Sequence, residues 1–263
     1  MRQPVRQVKL KRRREKIKPI QIIAPLIFAV VVFCAWEAYC RIAEVRVDVL
    51  PPPTMILGTL FDKFTSAYLE DFLITLRIIG TGYIIAVPTG FVLAALCSQS
   101  ETLTKTITPP IIIMVTIPMI TLIPLLTLWM GIVIEARILV VVFQAVPVIC
   151  LNTMNGFRLV ETAKQELFTS LGANRWQRFI KLQFPNALPQ VFTGLKLGCI
   201  FSTIAAVGAD LTGRNFGLGT KISVYAGNLL VDMSLAAIVL VAAIALVAFE
   251  IVAQIQKRVI TWK

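Results

Sequence analysis

The sequence predicts an all-α integral membrane protein with six transmembrane helices and a polar two-helix loop on the cytoplasmic side. Three observations point there. Of 263 residues, 57% are hydrophobic and only 15% charged, where a soluble domain carries about 25% charged residues. Six runs satisfy or approach the roughly 20 apolar residues that a helical span needs. Between two of them lies a polar stretch, 166–189, that nevertheless keeps an apolar stripe at helical spacing. The runs are continuously apolar rather than alternating, which argues against a membrane β-barrel.

Residues 1–19 form a basic tail with nine Lys and Arg before Pro19. The first span, 20–40, is longer than the apolar core of a signal peptide, and 34–40 offers no small-x-small cleavage site, so it reads as an uncleaved anchor. Residues 41–71 are expected to lie outside. Their Leu50-Pro51-Pro52-Pro53-Thr54 is too stiff and too poor in donors for a helix or central strand. A following stretch, 55–64, has helical spacing and is expected to lie along the membrane surface.

The core is expected over 72–256, with spans at 76–97, 108–130, 132–151, 190–210 and 235–254, and a tail at 257–263. The fourth span is the weakest. Glu135 and Arg137 leave a clean apolar core of only 138–151, so it must lean on neighbours or begin near the interface. Pro88, Pro109, Pro110, Pro118, Pro124 and Pro147 fall inside the middle spans. Each removes a helical hydrogen bond and favours a kink, and irregular backbone at membrane depth is tolerated only against protein or a water-filled cavity. Bent spans lining a passage are the functional reading; the plainer one is that proline is common in membrane helices.

The formal net charge is +12. With six spans and the N-terminus inside, cytoplasmic segments hold eighteen Lys and Arg against six outside, the latter including Arg41, Arg137 and Arg214. That asymmetry places both termini in the cytoplasm. The basic tail is then a topology and anionic-lipid signal rather than a nucleic-acid site. The five cysteines form no CxxC pair and the chain has no His, so zinc, haem and His-based acid–base chemistry lack their usual groups.

The stretch 166–189 is expected to fold as two short amphipathic helices. Leu159, Ala163, Leu167 and Leu171 recur at four-residue spacing, and Trp176, Phe179 and Ile180 mark a second face. Gly172 can take the left-handed conformation that ends the first helix, and Asn174 can cap the second. Pro185 and Pro189 are expected to stop it. A protruding helical hairpin with apolar residues suggests a docking surface for a soluble partner.

The spacing Glu166, five residues, Gly172, nine residues, Leu182-Gln183-Phe184-Pro185 resembles the EAA loop of binding-protein-dependent ABC-transporter permeases. Glu166, Gly172 and Pro185 match that pattern. Leu167 and Phe168 stand where the family has alanines, and Leu182 and Phe184 replace its Ile and Leu. Pro189, Thr193-Gly194-Leu195-Lys196, the Leu-Pro-Pro-Pro-Thr near the first external segment and Asp210 followed by Gly217-Leu218-Gly219 are similar to the nitrate/sulfonate/taurine branch, where Asp210 is usually Glu. The resemblance runs from about Leu50 to the C-terminus.

It implies the ABC type I permease fold in a bacterial inner membrane, with 158–189 as the coupling loop. It implies a second permease subunit in a homodimer, two copies of an ABC ATPase docked on the loops, and an extracytoplasmic substrate-binding protein. The coupling residues are then Glu166, Leu167, Ser170, Leu171, Gly172, Ala173, Trp176, Phe179 and Pro185. The solute would be a nitrate-, sulfonate- or taurine-like anion or a small heterocyclic vitamin precursor. The chain contains no Gly-Lys dipeptide, so the phosphate cradle GxxxxGK[ST] is absent. ATP and Mg would be bound by the partner ATPase, and no cofactor by this chain, which is then not itself an enzyme.

Within the hairpin, Glu166 is expected to cap or bond across the turn. Trp176 and Phe179 either fill a pocket on the ATPase or pack back on the ends of their own spans. Glu37, Asp210 and Glu250 lie near ends of apolar runs, where water is within reach, and Asp210 is the best candidate for the pathway mouth. Met114, Thr116, Met119, Thr121, Thr127 and Ser202 could line the pathway or pack between helices. An ion-gradient-driven transporter or channel is the alternative. It would place charges or broken helices near the midplane of several spans, and the mid-span regions here are nearly charge-free.

Overall fold

The computed structural model describes residues 19–131, 133–212 and 216–262; the basic tail, Arg214 and Lys263 lie outside them. Among the described residues every regular element is a helix. In chain order these are α1 (Pro19–Ile42), α2 (Pro53–Lys63), α3 (Leu69–Ser98), α4 (Glu101–Thr116), α5 (Met119–Met130), α6 (Ile134–Arg158), α7 (Thr162–Ser170), α8 (Arg175–Arg178), α9 (Phe184–Thr212), α10 (Leu218–Gly227) and α11 (Val231–Val259), with single π-helical turns at Phe64–Tyr68 and Phe179–Gln183. Five continuous helices are long and apolar enough to cross a membrane, and the bent pair α4/α5 makes a sixth.

The bundle is organised around α6, which packs against α3 and α9. Small residues set that spacing. Gly82, Ala86, Gly90 and Ala94 recur every four residues along α3 and are all buried. A Cβ on Gly82 would come within 2.5 Å of Val141 Cγ1, and one on Gly90 within 3.0 Å of Ile149 Cβ. Such a stripe lets two helix backbones approach where lipid offers no hydrophobic drive of its own. By contrast, only 6% of the α1 window is buried. It is tied to α2 at one end, where Glu37, paired with Arg41 of its own helix (2.6 Å), accepts the Thr54 hydroxyl (2.8 Å) and backbone N–H (3.1 Å).

Three expectations change. Residues 108–130 are not one helix. α4 ends at Thr116, Pro118 caps α5, and the two arms are bent by 98°. Pro118 cannot donate to the helix before it, so the break falls where the donor is missing. The stretch after the triple proline does not lie separately on the surface. α2 runs through the π turn into α3, making one apolar helix from Pro53 to Ser98, and Thr59 reaches Asp232 on α11 at 2.9 Å.

Pro185 and Pro189 do not stop the second hairpin helix, which continues from Arg175 to Leu211. The π turn makes this possible. Phe184 N–H bonds to Phe179 O, five residues back, and the wider turn falls beside the proline that lacks a donor. The charge-bearing fourth span leans on its neighbours, as its short apolar core requires: it is the most buried of the five continuous spans, with 56% of its apolar stretch inside the bundle, and its Arg137 is paired.

Candidate functional site

The hairpin is built by local rules. α7 ends in a Schellman turn: Ala173 N–H bonds to Phe168 O and Gly172 N–H to Thr169 O, each at 3.0 Å, with Gly172 at φ +71°. That left-handed conformation is the reason for glycine there. Asn174 then opens α8 with a capping box, its Oδ1 accepting from Gln177 N–H (2.8 Å) and its own N–H donating to Gln177 Oε1 (3.0 Å). The bond across the turn is made by Arg178, which donates to Thr169 Oγ1 at 3.2 Å. Glu166 does not supply it. Its side chain is exposed, and only its carbonyl is engaged, by the Ser170 hydroxyl at 3.0 Å.

The apolar stripe faces outward. Leu167 is 57% exposed, Leu171 74% and Trp176 68%, while Ala173 and Pro185 are half-buried. The two aromatic alternatives divide between the residues. Phe179 turns inward, 5.3 Å from the Phe157 ring on α6, within the buried cluster that includes Cys97, Ile111 and Met154. Trp176 stays outside and stacks on Phe179, with ring centroids 6.1 Å apart and planes at 20°. Phe157 in turn meets Phe91 on α3, and Phe91 meets Phe184 on α9. The exposed ring is thus coupled through ring contacts to three spans.

The pathway candidates are dispersed. Met114 is half-buried and Thr116 exposed on one arm of the 98° bend; Thr121 is exposed on the other. Thr116, Thr121 and Thr127 return their hydroxyls to their own helix, to Ile113 O, Pro118 O and Ile123 O at 2.7–2.9 Å. The Met119 side chain lies outside the described residues. Ser202 is fully buried on α9, and its Oγ has no hydrogen-bond partner among the described residues.

Asp210 differs most from expectation. It does not reach water but is 0% exposed. Arg137 donates from Nη1 to its Oδ1 at 2.9 Å and to Phe216 O at 2.7 Å. The Thr75 hydroxyl donates to Asp210 Oδ2 at 3.0 Å and accepts from Leu218 N–H at 2.9 Å. Asp71 accepts from Gly217 N–H at 2.7 Å and pairs with Lys221 at 3.4 Å. One buried network therefore ties α3, α6, α9 and the start of α10 together at the ends of α6 and α9 remote from the hairpin. Thr75 and Asp71 were not singled out from sequence, and Arg137 was read only as a charge that weakens the fourth span. The available signal was an arginine within an apolar run, which demands a buried partner.

The model of the family described as "Binding-protein-dependent transport system inner membrane component" matches residues 86–261. The formylaminopyrimidine transport permease protein ThiX of Halalkalibacterium halodurans is 30% identical over 76% of this chain and 79% of its own. The riboflavin transport system permease protein RibX of Chloroflexus aurantiacus is 24% identical over 93% and 89%. The taurine transport system permease protein TauC of Escherichia coli is 26% identical over 88% and 86%. Among solved structures, a chain of the MetNI methionine ABC transporter in inward-facing conformations aligns with a TM-score of 0.53 at 18% identity, covering 76% of this chain and 95% of that one, which shows a shared fold. With the six-span helical bundle and the hairpin between its fourth and fifth spans, this chain belongs to the family of binding-protein-dependent transport system inner membrane components, the permeases of ABC importers.

Proposed function

We propose that two copies of this chain form the membrane pathway of an ATP-driven importer, with two ATPase subunits on the hairpins and a binding protein delivering solute on the opposite face. ATP and Mg are bound by the ATPase, and both termini are cytoplasmic. The observation that carries the reading is the outward apolar face of the hairpin: Leu167, Leu171 and Trp176 are exposed on a segment too polar to sit in lipid. An exposed apolar patch rimmed by charges such as Arg175 and Lys181 is the signature of a protein-binding surface.

Binding of ATP draws the ATPases together and pushes the hairpins. The Trp176–Phe179–Phe157–Phe91 ring contacts and the unbroken helix from Arg175 to Leu211 transmit that push to the spans as a rigid lever. Met114, Thr116, Met119, Thr121, Thr127, Ser202 and Asp210 are the proposed pathway residues, Asp210 acting from within its ion pair. The solute is a small molecule of the kinds the relatives are named for, a vitamin precursor or a small anion. Purification of the tagged chain from its native membrane tests the assembly. Stoichiometric ATPase, crosslinked at a cysteine placed at Leu171, supports the reading; a chain that purifies without ATPase and moves solute on an ion gradient overturns it.

A further inference from the structure

A polar cavity of about 220 Å³ lies at the hairpin end of the bundle, where the end of α3, the start of α4, the end of α6 and the π turn at Phe179–Gln183 come together. Thr104, Met154 and Phe157 line it as buried residues, and Glu101 and Arg158 are exposed at its rim. The charge pattern places it at the headgroup level of a membrane. Residues 78–100 and 138–157 carry no Lys, Arg, Asp or Glu, and the first charges after them are Glu101 and Arg158. Each charge-free run is close to the roughly 20 residues that cross the hydrocarbon, so the cavity sits where the hydrocarbon ends. Its volume is below that of pockets enclosing a whole small-molecule ligand and suits a headgroup whose chains stay in the bilayer.

The polar groups on its wall are unevenly committed. The Thr104 hydroxyl donates to Cys97 O and the Ser98 hydroxyl to Ala95 O, each at 2.7 Å. Glu101 is paired with Lys105 at 2.8 Å. Arg158 and Gln183, also on the wall, have no side-chain hydrogen bond or ion pair among the described residues. What remains free is a guanidinium and an amide, a net positive set of donors. A guanidinium meets a phosphate with two parallel hydrogen bonds, and basic pockets between spans on the cytoplasmic side take lipid headgroups. Glu101, already neutralised, leaves no free carboxylate for a headgroup ammonium. We propose that this cavity binds the phosphate of an anionic phospholipid, held by Arg158 and Gln183. Arg158 ends α6 and Gln183 closes the π turn at the root of the hairpin, while Phe157 on the wall meets the Phe179 ring at 5.3 Å. A bound headgroup therefore ties the hairpin root to α6 and makes coupling depend on lipid. That consequence rests on the importer reading; the binding itself does not.

The test purifies the complex through a tag on the permease and counts retained lipid by native mass spectrometry, after exposure to equal amounts of phosphatidylglycerol and phosphatidylcholine. The wild-type chain is expected to retain phosphatidylglycerol in preference to phosphatidylcholine. Arg158→Gln is expected to lower that retention about tenfold, the scale of one lost charge-assisted hydrogen bond, and Gln183→Leu by less. Arg158→Lys replaces the glutamine variant if that one fails to assemble, and should retain several-fold less lipid than wild type because it lacks the two-pronged donor. Lys257→Gln removes an exposed cation from the last turn of α11 and, as the control, should retain the lipid as wild type does. In nanodiscs, replacing part of the phosphatidylcholine with phosphatidylglycerol should raise binding-protein-stimulated ATP hydrolysis in wild type and much less in Arg158→Gln. Equal retention of the two lipids, an equal loss in Lys257→Gln, or Arg158 variants that hold phosphatidylglycerol like wild type overturns the site. Inorganic phosphate that displaces the lipid and supports the same hydrolysis in pure phosphatidylcholine overturns the lipid assignment in favour of a free anion. Hydrolysis indifferent to phosphatidylglycerol overturns the effect on coupling. A chain that retains the lipid selectively but purifies without ATPase brings down the importer reading and leaves the lipid site standing.

Discussion

Arg137 Nη1 lies 2.9 Å from Asp210 Oδ1, joining the first turn of α6 to the last turn of α9 across 73 residues of sequence. Both side chains are nearly inaccessible, at 7% and 0% exposure. A buried pair is weak evidence of net stabilisation, but breaking it from one side leaves an uncompensated charge and costs about 3–5 kcal/mol. Arg137→Ala alone should therefore destabilise the detergent-solubilised protein strongly in thermal unfolding. The double variant Arg137→Met with Asp210→Leu should recover most of the loss. A single variant as stable as wild type would show the pair to be dispensable.

The same carboxylate dictates a glycine. Gly217 sits at φ +99°, and a Cβ there would overlap the Asp210 carboxylate. Gly217→Ala should lower stability by about 1–3 kcal/mol through backbone strain alone, with more from displacing Asp210. Gly58 in α2 is the matched control, since a Cβ there meets nothing within 4 Å. Gly58→Ala should gain about 0.5–1 kcal/mol. Equal unfolding temperatures for the two variants would contradict this account.

Gly172 has open space around its Cα, so its constraint is conformational rather than steric. At φ +71° a β-branched residue costs about 1–2 kcal/mol and favours reorientation of α8 against α7. Gly172→Val should insert normally into the membrane but lose transport and the stimulation of ATP hydrolysis by loaded binding protein. Normal substrate-stimulated hydrolysis in this variant would remove the hairpin angle from the mechanism.

Trp176 and Phe179 are three residues apart and in contact, yet should fail differently. Trp176→Ala removes an exposed ring and should weaken ATPase association, measured by co-purification, with little effect on the unfolding temperature of the isolated permease. Phe179→Ala removes a ring packed on Phe157 and should cost about 2–4 kcal/mol of stability. A reversed pattern would place Trp176, not Phe179, in the core.

The hairpin was legible because its determinants are local. A glycine in the left-handed region, an Asn174–Gln177 capping box and apolar residues at four-residue spacing act within a few residues of one another, and the structure holds each of them. The proline stops were misjudged for a physical reason: a single π turn at Phe179–Gln183 absorbs the missing donor, and sequence periodicity does not register one extra residue per turn. The same limitation applied at Pro118, in reverse. One proline among several in the α4–α5 region became a 98° break, while Pro88, Pro124 and Pro147 stayed inside their helices.

Sequence by itself determined that this chain crosses a membrane as a helical bundle, where its polar hairpin lies, and which family it resembles. Those properties follow from hydropathy, charge asymmetry and short-range spacing, all of which are written along the chain. Tertiary structure alone decided what the charges do. Arg137 read as a defect in a weak span and Asp210 as a carboxylate near water, because the cost of burying either is visible locally and the compensation lies 73 residues away. Likewise only packing separated Trp176 from Phe179, since burial depends on which helices meet.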